Sequence, residues 1–217
     1  KPVFPAAYRA NTGDGIRMAQ DVGAALWHMW HYHGSYGFRH PDPAYPFAIR
    51  TKRLPDWQPG EDLREDVYMP WILLNRSGRR FMNEYEPYLQ DTGARPFSRF
   101  LPESQEYSAL PCWFISDTNG CTLYPFGRPT SHERGIDYEW SPDNEKEIEL
   151  GILARADDIP DLANKIDVPK QILSETLQNW NNLCSAGFDK DFGRPPTSMV
   201  PLLTPPYIFG QIWPIVS

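Results

Sequence analysis

Apolar positions in this chain recur with helical spacing in two main segments, and polar, proline-rich stretches separate those segments from the rest. One segment covers residues 169–185, where apolar residues return every three or four positions. Its predicted buried face consists of Leu173, Leu177, Trp180 and Cys184. The other covers residues 12–32, with Asn11 or Thr12 as its cap. Its predicted face consists of Ile16, Ala19, Gly23, Leu26 and Trp30. A shorter helix is predicted over residues 158–166.

Short apolar runs predict strands between these helices. Residues 67–84 are predicted as a hairpin, because the run Trp71–Leu74 is followed by a Ser77-Gly78 turn and glycine tolerates the positive φ that such turns require. Further strands are predicted over residues 111–116, 147–154 and 207–216, and a helical turn over residues 102–108. Long irregular connections are predicted over residues 33–66, 121–147 and 186–206. The predicted class is α+β, a small sheet with packed helices and long proline-rich loops.

Composition removes several functional classes. The 217 residues carry a formal net charge of −7, which disfavours nucleic acid as a partner. No apolar run approaches the roughly 20 residues that span a bilayer, so no membrane partner is predicted. The three cysteines lack the spacing of a metal site and are expected to be reduced thiols, as in a cytoplasmic protein. The 23 prolines predict stiffened loops.

Three stretches together carry a family resemblance. The first is the hairpin Asn75-Arg-Ser-Gly-Arg-Arg-Phe-Met-Asn-Glu84, and the second is the helix start Thr12-Gly-Asp-Gly15. The third runs from Gly151 to Trp213 and includes Gly187-Phe-Asp-Lys-Asp-Phe-Gly-Arg194. In order and spacing they resemble FAD-dependent oxidoreductases of the superfamily that contains fumarate reductase, succinate dehydrogenase and 3-ketosteroid dehydrogenase.

The resemblance implies a substrate-capping region. Residues 67–206 would form the capping domain, residues 1–35 and 207–217 would belong to the flavin domain, and residues 36–66 would connect the two. Such enzymes introduce or reduce a carbon–carbon double bond next to a carbonyl or carboxylate, with FAD as cofactor and a small molecule as substrate. The chain lacks the Gly-x-Gly-x-x-Gly turn that holds the FAD pyrophosphate. We therefore expect these residues to be an excerpt that depends on the remainder of its flavin domain and is inactive alone.

The resemblance also suggests a proton-handling loop after Asn83-Glu84. The candidates for catalysis are Arg95, Tyr85 and Tyr88, since an arginine or a tyrosine performs this task in the superfamily. Either side chain needs rigid placement or a shifted pKa to transfer protons near neutral pH. The loop is longer than in fumarate reductases, and surface or packing roles for these residues stay open.

Two further predictions concern ligands. His33 is the predicted substrate-binding histidine, although its Tyr32-His33-Gly34-Ser35 surroundings differ from the Gln-x-His-Pro context of fumarate reductases. The predicted cofactor-binding residues are Thr12, Gly13, Asp14 and Gly15, because helix N-termini with glycines allow close backbone approach. No metal site is predicted, because His28 and His31 lack further ligands and Asp189 and Asp191 lack the later glutamate of a calcium loop.

Two other functions fit the sequence less well. Eight tryptophans and many loops would suit a non-catalytic, aromatic-rich module that binds a ligand or a protein. A stand-alone enzyme with a histidine–carboxylate site is the other alternative. Neither accounts for the ordered threefold resemblance.

Overall fold

A computed structural model describes residues 3–27, 34–53, 68–85 and 95–216, with the side chain of His132 left out. In chain order its strands are β1 (Phe4–Pro5), β2 (Gly34–Arg39), β3 (Ala48–Arg50), β4 (Trp71–Leu74), β5 (Phe100–Leu101), β6 (Glu106–Tyr107), β7 (Cys112–Asp117), β8 (Thr130–Glu133), β9 (Ile136–Tyr138), β10 (Ala154–Ala156) and β11 (Tyr207–Val216). Its α-helices are α1 (Asp14–Asp21), α2 (Thr118–Cys121), α3 (Glu145–Glu149), α4 (Ile159–Lys165) and α5 (Lys170–Ala186). Arg95–Ser98 and Pro196–Ser198 are 3₁₀ turns.

Seven strands form the main sheet, and β11 lies at its centre. The order along the sheet is β3-β2-β11-β7-β4, and β1 and β10 also pair with β11. All pairs are antiparallel except β1 with β11. The strands β5 and β6, and β8 and β9, form two small separate hairpins. This mixed architecture confirms the predicted α+β class.

Each face of the sheet carries a hydrophobic core. Alternate residues of a strand point to opposite faces, so Phe114 and Ile212 enter one core while Ile115 and Phe209 enter the other. The second core is covered by α4 and α5, and the predicted face of α5 packs into it. All four residues of β4 are buried because its two faces contact different cores.

Several predicted elements are confirmed. The helix predicted over residues 169–185 is α5, and the side chains of Leu173, Leu177 and Trp180 on its predicted face are buried. The short helix over residues 158–166 is α4, capped by the Asp158 carboxylate, which accepts the Asp161 backbone N–H. The strands predicted over residues 111–116 and 207–216 are β7 and β11. The connection over residues 186–206 contains only the 3₁₀ turn Pro196–Ser198.

The helix predicted over residues 12–32 is wrong in extent. Helix α1 ends at Asp21, the chain turns at Gly23 with a φ of 93°, and residues 24–27 are not helical. None of the α1 residues is buried. A short helix without tertiary packing gains little from its apolar stripe, so the pattern alone overestimated its length.

The connection predicted over residues 33–66 is wrong at two places, since β2 and β3 lie within it. Its glycines suggested a loop, but Gly37 sits inside β2 for a steric reason. A Cβ atom there would lie 2.1 Å from the Ile49 carbonyl oxygen. The backbones of β2 and β3 are therefore too close at this position for any residue that carries a Cβ atom.

Three shorter predictions are also corrected. The segment predicted as a strand over residues 147–154 begins inside α3, and strand β10 starts only at its last residue, Ala154. Here the buried Glu147 accepts hydrogen bonds from Tyr138 and Ser141, which holds the helical turn in place. The helical turn predicted over residues 102–108 is instead the hairpin of β5 and β6, and β8 and β9 lie within the predicted connection over residues 121–147.

The predicted domain limits at 35, 66 and 206 stay predictions. β2 and β11 belong to different predicted pieces, yet they pair with each other over five residues. Within the described residues, no helix combines the length and apolar character that crossing a bilayer requires.

Candidate functional site

The hairpin that carries the resemblance forms as predicted, with a tight turn after β4. The Asn75 side-chain oxygen accepts the backbone N–H groups of Ser77 and Arg79 at 2.9 and 3.1 Å. Gly78 has a φ of 74°, which other residues adopt only with strain, and it packs against Val168. The turn is thus fixed both by its own hydrogen bonds and by contact with the segment between α4 and α5.

Two acidic and two basic side chains are buried together beside this hairpin. Arg80 donates from Nε and Nη2 to the two carboxylate oxygens of Glu84, at 3.1 and 2.8 Å. Its Nη2 also donates to Asp189 at 3.0 Å. Arg80 and Asp189 are 109 positions apart in sequence, so this contact links the hairpin to the loop after α5. We call Arg80, Glu84, Asp189 and Arg194 the buried ion network.

Arg194 binds the same network to the backbone of β4. It lies 3.5 Å from Glu84, and it donates from Nη1 to the Trp71 carbonyl oxygen at 2.8 Å. Its Nη2 donates to the carbonyl oxygens of Met69 and Ser198. Glu84 meanwhile accepts the backbone N–H of Leu73 at 3.2 Å. The network therefore fixes the start of β4 relative to the end of the hairpin.

Trp180 of α5 contacts both arginines of the network. Its ring lies 4.5 Å from the guanidinium carbon of Arg80 and 4.8 Å from that of Arg194. Its indole N–H donates to the Val200 carbonyl oxygen at 2.9 Å. Aromatic faces attract cations, most strongly where water is excluded. The helix α5 is thereby held against the network through one fully buried side chain.

The charges in the network compensate one another. Burial alone would raise the pKa of Glu84, but the Arg80 guanidinium and then Arg194 lower it below its ordinary value. Burial likewise opposes ionisation of Asp189, and the hydrogen bond from Arg80 lowers its pKa. With two carboxylates and two guanidinium groups, the network remains ionised and neutral overall near neutral pH.

The network is the part of the site that sequence reasoning missed. The sequence places Asp189 only in a motif and in a stretch that lacks the later glutamate of a calcium loop, and it places Arg194 only in that motif. The available signal was that both the Arg80–Glu84 and Asp189–Arg194 stretches belong to the same resemblance. Polar residues that recur together in such a motif, without metal spacing, are candidates for a buried ion pair.

The described candidates for catalysis lie at the end of the hairpin and beyond the loop. Tyr85 follows the buried Glu84 directly, is half-buried against the first core, and its ring lies 4.8 Å from the guanidinium carbon of Arg53. Arg95 is exposed at the start of a 3₁₀ turn whose Phe97 is fully buried. Tyr88 lies outside the described residues.

Phe97 anchors this 3₁₀ turn to the same core as Tyr85. Its ring packs 5.6 Å from that of Tyr36 and 5.5 Å from that of Phe81, measured between centroids. The Tyr36 hydroxyl in turn donates to the Glu84 carbonyl oxygen at 3.5 Å. Both ends of the candidate loop therefore start from packed residues next to the buried ion network.

The predicted cofactor-binding residues lie on an exposed helix start. Gly13 adopts a left-handed conformation with a φ of 77°, and no side chain caps α1 there. Hydrogen bonds from Thr12 and then Arg17 lower the pKa of the Asp14 carboxyl. A Cβ atom at Gly13 or Gly15 would meet no atom within 4 Å, so the turn is open for close approach. His33, the predicted substrate-binding residue, lies outside the described residues.

Comparison with known proteins gives the class of this chain. A family model described as FAD binding domain matches residues 4–214. The chain belongs to this family, whose cofactor is FAD. The predicted superfamily of FAD-dependent oxidoreductases is thereby confirmed.

The particular relatives are enzymes of that kind. The chain is 29% identical over 188 residues to the 3-oxosteroid 1-dehydrogenase of Mycolicibacterium smegmatis, a match that covers 85% of this chain and 28% of that protein. It is 44% identical over 187 residues to the NADH:acrylate oxidoreductase of Vibrio harveyi, covering 85% of this chain and 15% of that protein. The chain therefore spans less than a third of the length of either relative.

Solved structures share the fold. The 3-ketosteroid delta1-dehydrogenase of Sterolibacterium denitrificans matches with a TM-score of 0.71 and 23% identity, over 99% of this chain and 37% of that one. A flavocytochrome c3 fumarate reductase in an open conformation matches with a TM-score of 0.59 and 17% identity, over 100% of this chain and 31% of that one.

Proposed function

We propose that this chain is the substrate-capping part of an FAD-dependent oxidoreductase. The enzyme would introduce or reduce a carbon–carbon double bond next to a carbonyl or carboxylate of a small molecule. Residues 67–206 would form the cap, residues 36–66 the connection, and residues 1–35 and 207–217 parts of the flavin domain. The names of the two relatives, a 3-oxosteroid 1-dehydrogenase and an NADH:acrylate oxidoreductase, support redox chemistry of this kind.

The observation that carries this proposal is the buried ion network next to the candidate loop. Glu84 is fully buried and held by two arginines and a backbone N–H, and Tyr85 is the next residue. A group that transfers protons must be held in place by the residues around it. Burying these four charged groups costs desolvation free energy, and the ion pairs that offset this cost hold the start of the candidate loop in place.

The candidate residues would handle the proton at the substrate carbon. Arg95 is the first candidate, and Tyr85 and Tyr88 follow. Bound FAD would supply hydride acceptance or donation at the neighbouring substrate carbon. Closure of the cap over the reactive face of the flavin would exclude water and strengthen the electrostatic effect of these side chains.

The described residues fit FAD only at its periphery. The open backbone at Gly13 and Gly15 would permit close approach of a flat or polar group. The Asp14 carboxylate at the same helix start disfavours a pyrophosphate there, because like charges repel. We therefore propose that residues 12–15 contact the cofactor without holding its phosphates, and that His33 binds substrate.

Single substitutions in the whole protein test the loop. Arg95→Gln, Tyr85→Phe and Tyr88→Phe should each be compared with Arg99→Gln, which removes an exposed arginine from the same segment. A positioned acid or base contributes about 10²–10⁴-fold. We expect at least one of the three variants to lose tenfold or more in turnover with normal flavin content, while Arg99→Gln keeps normal turnover.

The opposite pattern would refute the assignment. If all three variants retain the parent's turnover on a substrate that the parent accepts, the loop supplies no proton-handling group. If they lose folding stability but retain turnover, these side chains have packing roles only.

A further inference from the structure

Two tyrosines from separate segments of the chain lie side by side at the β8–β9 hairpin. The rings of Tyr45 and Tyr138 have centroids 5.8 Å apart and are inclined to each other by 62°. Thr130 of β8 pairs directly with Tyr138 of β9, and the Thr130 hydroxyl contacts the hydroxyl of Tyr45. The hairpin therefore places Tyr45, from the connection between β2 and β3, beside Tyr138, which is far away in sequence.

The two tyrosines differ in their access to solvent. Tyr138 is 7% exposed, and its ring packs against Trp140 and His40 at centroid distances of 6.3 and 5.3 Å. Tyr45 is half-buried in a turn, where its backbone N–H donates to the Asp42 carbonyl oxygen at 3.1 Å. Surface turns move more readily than the elements that they connect. The pair thus has one packed ring and one ring that can adjust its position toward it.

A buried carboxylate accepts the phenolic hydrogen of Tyr138. The Tyr138 hydroxyl donates to Glu147 at 2.7 Å, and Glu147 is fully buried in α3. This distance is within the range of about 2.6–3.2 Å that direct proton transfer requires. Burial and then the hydrogen bond to Glu147 raise the pKa of Tyr138, so the phenol keeps its proton near neutral pH. Removal of an electron makes a phenol strongly acidic, and the proton then passes along this hydrogen bond to Glu147.

Further aromatic rings connect Tyr138 to the first core. Trp140 lies 5.0 Å from Phe38, and Phe38 lies 5.3 Å from Phe114, measured between centroids. Phe114 lies 5.0 Å from Trp71 of β4. The Trp140 indole N–H donates to an amide oxygen, that of Asn144, which is a far weaker base than a carboxylate. A one-electron oxidation that begins on these rings therefore comes to rest at Tyr138, where a carboxylate takes the proton.

One neighbouring charge opposes this oxidation. The Lys146 ammonium lies 4.5 Å from the centroid of the Tyr138 ring, and a nearby cation disfavours the loss of an electron. Lys146 is exposed, so salt and water screen its charge, whereas a buried charge such as that of Glu147 is screened much less. The carboxylate therefore has the larger effect on Tyr138.

We propose that Tyr45 and Tyr138 form a modification site at which a one-electron oxidant produces an intramolecular dityrosine cross-link. Two equivalents of the oxidant remove one electron from each phenol, the proton of Tyr138 passes to Glu147, and that of Tyr45 passes to water. The two phenoxyl radicals couple, so that one C–C bond forms between ring carbons ortho to the hydroxyls. The two C–H bonds at these carbons then break, and their protons restore the phenols.

The cross-link would join the connection between β2 and β3 covalently to β9. In total, two electrons and two protons leave the protein, and the oxidant is reduced. The inference goes beyond the proposed function, because neither the substrate nor the flavin takes part in this step.

Oxidation of the whole protein by tris(bipyridine)ruthenium(III), a one-electron oxidant, tests this inference. The reagent is mixed with dilute protein in the dark, which avoids flavin photochemistry and disfavours links between copies. The monomer is then isolated and digested, and mass spectrometry identifies dityrosine-linked peptides. The variants are Tyr45→Phe and Tyr138→Phe, which keep the rings and remove the hydroxyls. Tyr107→Phe is the matched control, because Tyr107 is also half-buried but packs against Phe100 instead of a tyrosine.

We expect the main dityrosine product of the parent monomer to join the peptides that contain Tyr45 and Tyr138. This product should be lost in both variants and retained in Tyr107→Phe, with circular dichroism confirming that each variant is folded. The absence of dityrosine from the parent monomer, or a link that maps to other tyrosines, would overturn the inference.

Glu147→Gln tests the proton acceptor separately. Glutamine keeps the shape of the side chain and an oxygen that can accept the Tyr138 hydroxyl, but it is not a base of comparable strength. The folded variant should therefore form the cross-link more slowly than the parent. Equal rates would overturn the role of Glu147, and the peptide map of the parent decides the site itself without this variant.

Discussion

Replacing Arg194 by methionine should destabilise this protein far more than removing an exposed ion pair. Arg194 is fully buried, and its loss leaves the carbonyl oxygens of Met69, Trp71 and Ser198 without this donor. A buried acceptor left without a partner costs about 1–3 kcal/mol. Removing one partner of a buried ion pair typically costs about 3–5 kcal/mol in total.

The charge balance points in the same direction. Without Arg194, Glu84 and Asp189 remain with a single buried arginine, Arg80. Methionine keeps an unbranched apolar stem in place of that of arginine, so the substitution mainly removes the guanidinium and its polar contacts. We therefore expect a loss of about 3–5 kcal/mol in the free energy of unfolding, within the range that buried ion pairs show.

The matched control is Arg155→Met. Arg155 pairs with Glu145, and their side chains are 45% and 48% exposed. Exposed pairs contribute about 0–1 kcal/mol. Urea unfolding followed by circular dichroism measures both variants in the same protein. If Arg194→Met costs no more than Arg155→Met, the buried ion network does not stabilise the hairpin in the way described here.

Three further predictions follow from the same packing. Trp180→Ala should cost about 3–5 kcal/mol in urea unfolding, as large aromatic deletions in cores do, and a loss below about 1 kcal/mol would mean that α5 packs through another face. The folded protein lowers the pKa of Glu84 and of Asp189 below their ordinary values of 4.5 and 3.8. The two carboxylates therefore stabilise the folded state fully above those ordinary values, and this stabilisation is lost as pH falls through the lower pKa values of the folded state. Unfolding free energies of parent and Glu84→Gln across this acid range check it, since the variant should depend less on pH and an equal dependence would contradict the assignment. The 217 residues produced alone should be colourless and inactive, and a stoichiometric flavin absorbance would contradict this.

Local pattern was sufficient for some elements and insufficient for others. The face of α5 was predicted because Leu173, Leu177 and Trp180 follow one helical stripe over a long segment. Helix α1 was predicted too long because its stripe has no buried partner among the described residues. β2 was missed because Gly37, selected by the nearby β3 backbone, looks like a loop residue when the partner strand is unknown.

In the candidate site, too, features set by neighbouring residues were predicted, and features set by residues far apart in sequence were not. The turn at Gly78 depends on neighbouring residues and was predicted. The buried ion network was not, because the contacts that join its two stretches, Arg80 with Asp189 and Arg194 with Glu84, link residues 109 and 110 positions apart. Sequence spacing carries no information about such pairs unless the fold is already known. The resemblance predicted the superfamily, because the order of the three motifs is a property of nearly the whole chain. Each motif alone covers only a few residues and is less specific.

The most direct test of the capping role is a crystal structure of the whole protein with FAD and an unreactive substrate analogue. The proposal predicts that Arg95, Tyr85 or Tyr88 lies within about 2.6–3.2 Å of the analogue, or one water away, on the side of the substrate opposite the flavin. Residues 67–206 should cover the analogue. A structure in which the analogue is enclosed by other residues, with the loop over residues 85–99 turned away from it, would contradict the central claim.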